Sequence, residues 1–310
     1  MDNRRRHAIC LFIDNYHDLR KHLRFKTSPK ILRLSSLILS LKGIRINIED
    51  FQKGLDYIKR YTQWYSPFRS FMVPAAAFAT IPGKSFDKAF NRLVSCQKTL
   101  KFAGFRPSAC LVPAAMALYS TSADGSEQPL AYRAYFVLQK MKGWRSARSV
   151  RELFAPAVFV SSSESHSKDI ISQGASFFSH LDSMDKNQIK GLHFLYQNLA
   201  YDAGTVEAAA ASCAGIYSTL EKMKFRSSAL FYGAMGFLAL SGHDCNQAIL
   251  DAMDTMSLLK LGKCFSNFEK EQAMLVASAI VAANRLEQRA EASPSAIHSV
   301  ISAQAAACLL

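Results

Sequence analysis

Three consecutive residues, His243-Asp244-Cys245, bring together an imidazole, a carboxylate and a thiol, the types that nucleophilic catalysis uses. Sequence neighbours point apart, however, and members of a catalytic triad come from separated positions. The three read instead as a turn in which Asp244 caps the following helix. His166 and His180 could share a helical face, but about four turns separate them, too far to ligate one metal ion. The seven cysteines (Cys10, Cys96, Cys110, Cys213, Cys245, Cys264, Cys308) form no C-x-x-C pair. Most lie in apolar helical stretches, where a thiol packs as a small hydrophobe. No glycine pattern fits a phosphate loop or dinucleotide fingerprint, and neither HExxH nor a nucleophile elbow is present. The expectation is therefore no catalytic set, no metal and no cofactor.

The remaining chemistry is electrostatic. The 310 residues hold 38 Lys and Arg against 24 Asp and Glu, a net charge of +14. Such an excess suits nucleic acid, an anionic membrane surface or an acidic protein. Twenty-one of the basic residues and none of the acidic ones fall in six short windows: 20–30, 59–69, 98–106, 140–151, 222–226 and 260–263. These are ends of helices and the turns after them. A cation at a helix C-terminus is favoured by about 0.3–1 kcal/mol, so helix completion explains each one singly. Stacked hairpins would nevertheless align them along one edge. Arg69, Arg106, Arg145 and Arg226 occupy equivalent turn positions, with Lys26 near the start of the row. These five are the candidate partner-binding residues.

The elements that must position them are helices. In 86–120, Phe86, Ala89, Phe90, Leu93, Val94 and Leu100 recur on one face, while Asp87, Lys88, Arg92 and Lys98 fall elsewhere. Ser85 is placed to cap this helix, and Gly104 supplies the left-handed residue that ends it. After Phe105-Arg106-Pro107-Ser108 comes ACLVPAAMALYS, apolar nearly all round, as in a helix buried on several sides. Pro113 implies a start near Ala109 or a kink.

This hairpin recurs. Thr99, Leu100, Phe105, Arg106, Ser108, Ala109, Ala114 and Leu118 align without gaps to Thr219, Leu220, Phe225, Arg226, Ser228, Ala229, Ala234 and Leu238. Aromatic turns at Phe25, Phe68, Phe105, Trp144, Phe225 and Phe265 keep a step of about 40 residues, with one turn near Met184 lacking its aromatic, within the range of helical solenoids. The pattern predicts an all-α, right-handed-type solenoid of about seven antiparallel hairpins. One elongated domain spans 1–310, with repeats over 8–290 and a loose tail or last helix over 291–310. Pairs are expected at 8–24/28–42, 48–62/66–80, 86–103/109–120, 129–142/148–160, 166–183/186–200, 205–223/227–241 and 245–261/266–289. Capping-box spacings stand at Ser149/Glu152 and Ser266/Glu269. IRINI at 44–48 is the best strand candidate, and it is short. The turn aromatics Phe68, Phe105, Trp144 and Phe225 are expected to fold back onto their helices.

The odd cysteine count suits a reducing cytosol. The first stretch has six apolar residues before Asp14, too few for a signal core, and no uncharged run makes a convincing membrane span. A cytoplasmic location is expected.

NYHDLRKHLRF, YIKRYTQWYSPFRS and FDKAFNRLVSCQKTLKFAGF resemble a bacterial family catalogued as domain of unknown function 4003. The likeness runs over about residues 8–290, and its best marks are the WYSPFRS and KTLKFAGFRPS turns. It implies a cytoplasmic protein typical of Gram-positive bacteria and brings no activity, so no functional residues carry over. The residues themselves favour a non-enzymatic scaffold that binds a protein partner, in keeping with the long concave surface of a solenoid. Two alternatives stand beside it: a nucleic-acid-binding protein using the basic edge, and an enzyme whose site is scattered over several repeats.

Overall fold

Every regular element among the described residues is helical, with no strand. The computed structural model describes residues 2–143, 149–162, 193, 206–226, 228–241, 244–266, 269–288 and 294–309. The first pair is α1 (Asn3–Leu23) and α2 (Pro29–Leu41). The second is α3 (Ile48–Tyr61) with α4 (Pro67–Ser70) and α5 (Met72–Ala79). The third is α6 (Phe86–Ala103) with α7 (Leu111–Thr121). The fourth is α8 (Glu127–Met141) with a 3-10 turn, Val150–Leu153, and α9 (Phe154–Ser162). Of the expected fifth pair only His193 is described, helical and buried; the rest lies outside the described residues. The sixth comprises α10 (Val206–Lys222) and α11 (Ala229–Leu240), the seventh α12 (Cys245–Leu261) and α13 (Lys270–Gln288). A last helix, α14 (Pro294–Leu309), follows.

Local chemistry sets the boundaries. Asn47, Ser66, Ser228 and Asp244 accept backbone N–H groups of the helices they precede. Ser85 does not; its hydroxyl turns to the Asp87 carboxylate instead. Ser266 and Glu269 form half of the expected box, the carboxylate accepting both the Ser266 N–H and its hydroxyl at 2.9 Å. Ser149 makes no side-chain cap, and 3-10 geometry follows it. Pro113 sits in the first turn of α7, where its missing N–H costs no helical bond, so the helix needs no kink. The 44–48 segment pairs with a side chain rather than a strand. Asn15 donates to the Ile44 carbonyl and accepts from the Ile46 N–H, both at 2.8 Å.

The aligned turns of the third and sixth pairs share their geometry. Gly104 (φ +113°) and Lys224 (φ +60°) are left-handed, and the Phe105 and Phe225 N–H groups bond back to Leu100 and Leu220. A side chain at 104 would also meet the Tyr135 ring at 2.7 Å. Gly104→Ala is therefore expected to cost about 1–3 kcal/mol. Lys224→Gly should have the opposite sign, a gain of about 0.5–1 kcal/mol, since it relieves a left-handed lysine. Urea unfolding of the two variants checks both signs.

The arrangement departs from an open curved array. Second helices of neighbouring pairs pack together, and so do the first helices α3 with α6, α6 with α8 and α10 with α12, while α1 packs on α12 and α13. The turn aromatics show how. Phe68 packs on Phe90 of the next pair at 5.3 Å, and Phe105 on Tyr135 and Phe154 at 5.7 and 5.1 Å. The Lys270 ammonium lies 4.0 Å over the Phe225 ring. In the seventh pair Phe265 makes the corresponding contact with the first pair, stacking on Phe12 at 6.1 Å under the Arg33 guanidinium at 4.5 Å. The last turn thus treats the start of the chain as its next neighbour. We call this junction the seam.

α14 touches the second helix of every described pair, α2, α5, α7, α9, α11 and α13, so those helices surround it. Its tail position is helical and buried, with Ile297, Val300, Ile301 and Leu309 in the core. Gly233 of α11 permits the approach; a Cβ there would stand 2.8 Å from the Cys308 sulfur.

Candidate functional site

Neighbouring first helices run parallel. Gly54 faces Phe86, and Tyr57 packs on Phe90. Arg92 meets Glu127, and Gly104 meets Tyr135. Asp251 meets Arg5, and a His17 ring nitrogen lies 2.8 Å from the Gly262 carbonyl. In each case both residue numbers rise together. The C-terminal ends of α3, α6 and α8 therefore lie on one side, as do those of α12 and α1. Lys42, just after α2, bonds carbonyls at the end of α5, so those second helices are parallel too and α1 and α3 end together. Lys270 at the start of α13 donates to the Met223 carbonyl after α10, which sets that end beside the turn after α12. The turns after these first helices form a common edge.

The structure divides the five sequence-predicted residues. Lys26, Arg106 and Arg226 are exposed on this edge. Arg69 is half-buried and donates to the Lys59 and Thr62 carbonyls, the latter at 2.7 Å, so it completes the end of α3. Arg145 lies outside the described residues. Around them Arg24, Lys59, Arg60, Lys98, Lys101, Lys142, Lys222, Lys224 and Lys263 are also exposed.

Phe68, Phe105, Phe225 and Phe265 are buried as described above. Trp144 lies outside the described residues. Phe25 departs from that series: it is exposed, with the Arg24 guanidinium 4.5 Å over its ring. A second apolar set escaped the sequence reading. Phe25, Trp64, Phe102 and Leu261 are 77–88% exposed; Tyr65 packs edge-on against Trp64, and Tyr61, stacked on Tyr57, is also exposed. Of ten large hydrophobic side chains exposed among the described residues, these six lie at the ends and turns of the first helices. Periodicity gave the only usable signal. Phe102 is three residues before Phe105, yet falls off the buried face that Leu93 and Leu100 define.

At the opposite end of the seam two cavities of about 400 and 460 Å³ share Arg5 and Asn284 in their walls. Their charged groups are largely engaged with one another. Burial opposes ionisation of Asp251, but hydrogen bonds from Arg5, Arg285 and Gln247 outweigh it and hold the carboxyl below its usual range. Glu287 pairs with His298 and with Arg4 at 3.6 Å. Burial pushes the Lys42 ammonium down to about 7, while the carbonyls of Ala77, Phe78 and Thr80 accept its protons.

Asp244 caps α12 through the Gln247 N–H at 2.9 Å; His243, His166 and His180 lie outside the described residues. Burial raises the thiols of Cys96 and Cys264 to about 12, which makes them inert as nucleophiles. Among the described residues no group of three His, Cys, Asp or Glu could hold a metal ion, and no helix is long and apolar enough to cross a membrane.

The turns carrying WYSPFRS and KTLKFAGFRPS are thus the places where one pair grips the next. A family profile described as a protein of unknown function, DUF4003, matches residues 15–306. The chain belongs to the DUF4003 family. No curated protein and no solved structure matches it. In this DUF4003 chain the matched span runs from the middle of α1 into α14 and takes in Arg33, Phe265 and Glu269 of the seam.

Proposed function

We propose that this DUF4003 protein is a non-enzymatic binding protein that docks on an anionic partner through its turn edge. One observation carries the reading: a dozen exposed lysines and arginines and most of the exposed large hydrophobic side chains stand at the same helix ends. Cations alone complete helix termini, and Arg69 does only that. A helix terminus does not need an exposed Phe102 or Trp64, whereas interfaces are enriched in aromatics and arginine. The concave face of a solenoid loses its claim, because α14 packs against the second helices that would line it. Charge alone accepts an acidic protein segment, nucleic acid or an anionic lipid surface.

Position separates a docking edge from plain basicity. The triple variant Lys26→Gln, Arg106→Gln, Arg226→Gln is compared with a control, Arg6→Gln, Lys84→Gln, Arg133→Gln. The control residues are equally exposed, lie away from the edge, and remove the same charge. On a polyanion column the edge variant is expected to elute at clearly lower salt, and the control to elute with the unaltered protein. Equal shifts of the two variants would refute the edge.

A further inference from the structure

We propose that the partner of the turn edge is an anionic lipid surface, with Phe25, Trp64, Phe102 and Leu261 entering the interfacial region while the surrounding lysines and arginines bind headgroups; this rests on the edge being the docking site. Three features support it. The tips come from four different pairs, one from each of α1, α3, α6 and α12 or the turn that follows, so they are spread along the edge rather than gathered in one groove. Parallel first helices and the seam place these tips on one side of the molecule, which suits a partner that is itself a surface. A thread-like chain needs a continuous path, and nothing demands that every turn contribute to it.

The second feature is the side-chain type. Trp64 and Tyr65 are the residues that collect at headgroup level, where an apolar ring and a polar tip are both satisfied. Leu261 is as exposed as the aromatics but has no ring. Base stacking requires a π-face, so single-stranded nucleic acid leaves Leu261 unexplained, whereas an acyl boundary accepts any apolar side chain. The third is charge: Arg24 and Lys26 flank Phe25, Arg60 precedes Trp64, and Lys101 and Arg106 flank Phe102, while Lys59 is paired with Asp56 at 3.1 Å. Polybasic surfaces of this kind are drawn to anionic leaflets.

The test is co-sedimentation of the full chain with phosphatidylcholine vesicles, with or without phosphatidylserine, followed in parallel by tryptophan emission. Three proteins are compared: the unaltered chain, the Lys26/Arg106/Arg226→Gln variant, and a tip variant carrying Phe25→Ser, Trp64→Ser, Phe102→Ser and Leu261→Ser. All four tips are exposed, so circular dichroism should be unchanged. Binding is expected only with phosphatidylserine, with a blue shift in emission that the tip variant loses. The three-cation variant should bind roughly a hundredfold more weakly, at about a tenfold loss per 1.4 kcal/mol. Retention of the unaltered chain on the polyanion column without vesicle binding would overturn the lipid assignment and leave the edge intact. Tighter binding to a single-stranded oligonucleotide than to the vesicles would overturn it in favour of nucleic acid. Vesicle binding that survives in the tip variant would also overturn it. Loss of position dependence on the column would defeat the underlying edge reading itself.

Discussion

Arg33→Ala is expected to lower the unfolding free energy by about 3 kcal/mol, the low end for removing one partner of a buried ion pair, because the Glu269 carboxylate is one-third exposed. Arg33 is buried in α2. It donates to both Glu269 carboxylate oxygens at 2.5 and 2.7 Å, to Gln272 at 2.7 Å and to the Cys264 carbonyl at 2.7 Å. It also covers Phe265. Every one of these partners belongs to the seventh pair, so the loss falls on the seam. Arg33→Lys should not restore it, because a single ammonium cannot span both carboxylate oxygens and the carbonyl. The pair also sets a pH dependence. Arg33 above all holds the Glu269 carboxyl down at about 2, against burial, from an ordinary value of 4.5. A depressed carboxyl contributes stability that is fully present above 4.5 and is lost as pH falls toward 2. Denaturant midpoints measured across that window should slope in the unaltered protein and slope less steeply in Arg33→Ala, where Asp251 remains depressed.

Ending the chain after residue 293 should abolish the cooperative native state. α14 is the common neighbour of the second helices, and its Ile297, Val300, Ile301 and Leu309 are buried. At about 1.5–3 kcal/mol for each large apolar side chain, those four alone contribute about 6–12 kcal/mol. That rivals the whole stability of a typical domain, about 5–15 kcal/mol. The truncated chain would also expose the apolar faces of α7 and α13. Calorimetry should show no cooperative transition, and dye binding should report exposed apolar surface. A truncated chain that melts cooperatively near the full-length temperature would mean α14 is an appendage.

The helices were legible because amphipathic periodicity and caps are local. The bounds of α3, α6 and α12 fall within a residue or two of the expected ones. Gly104 announced its turn because few residues accept φ +113°. The burial of Phe68, Phe105 and Phe225 followed from their place beside the turns. Closure was not legible. Arg33 and Glu269 are 236 residues apart, and each looks like an ordinary helix residue until the partner is known. The tail was ambiguous for a related reason. SAIHSVISAQAAACLL carries no formal charge but includes Ser302 and Gln304, which local reasoning leaves to solvent and the fold buries completely. The edge was half legible: charge showed where it runs, but residue type does not separate exposed Phe102 from buried Phe105.

Edge and cavities both depend on the first and seventh pairs meeting. The direct measurement is a double-mutant cycle with Arg33→Ala, Glu269→Ala and the double variant, read by chemical denaturation at neutral pH. Contacting residues couple by about 0.5–3 kcal/mol, and a bidentate pair belongs in the upper half of that range. A coupling above about 1 kcal/mol between residues so distant in sequence is the expected result. Effects that add to within about 0.3–0.5 kcal/mol would mean that the two residues do not meet, and would contradict the closed chain.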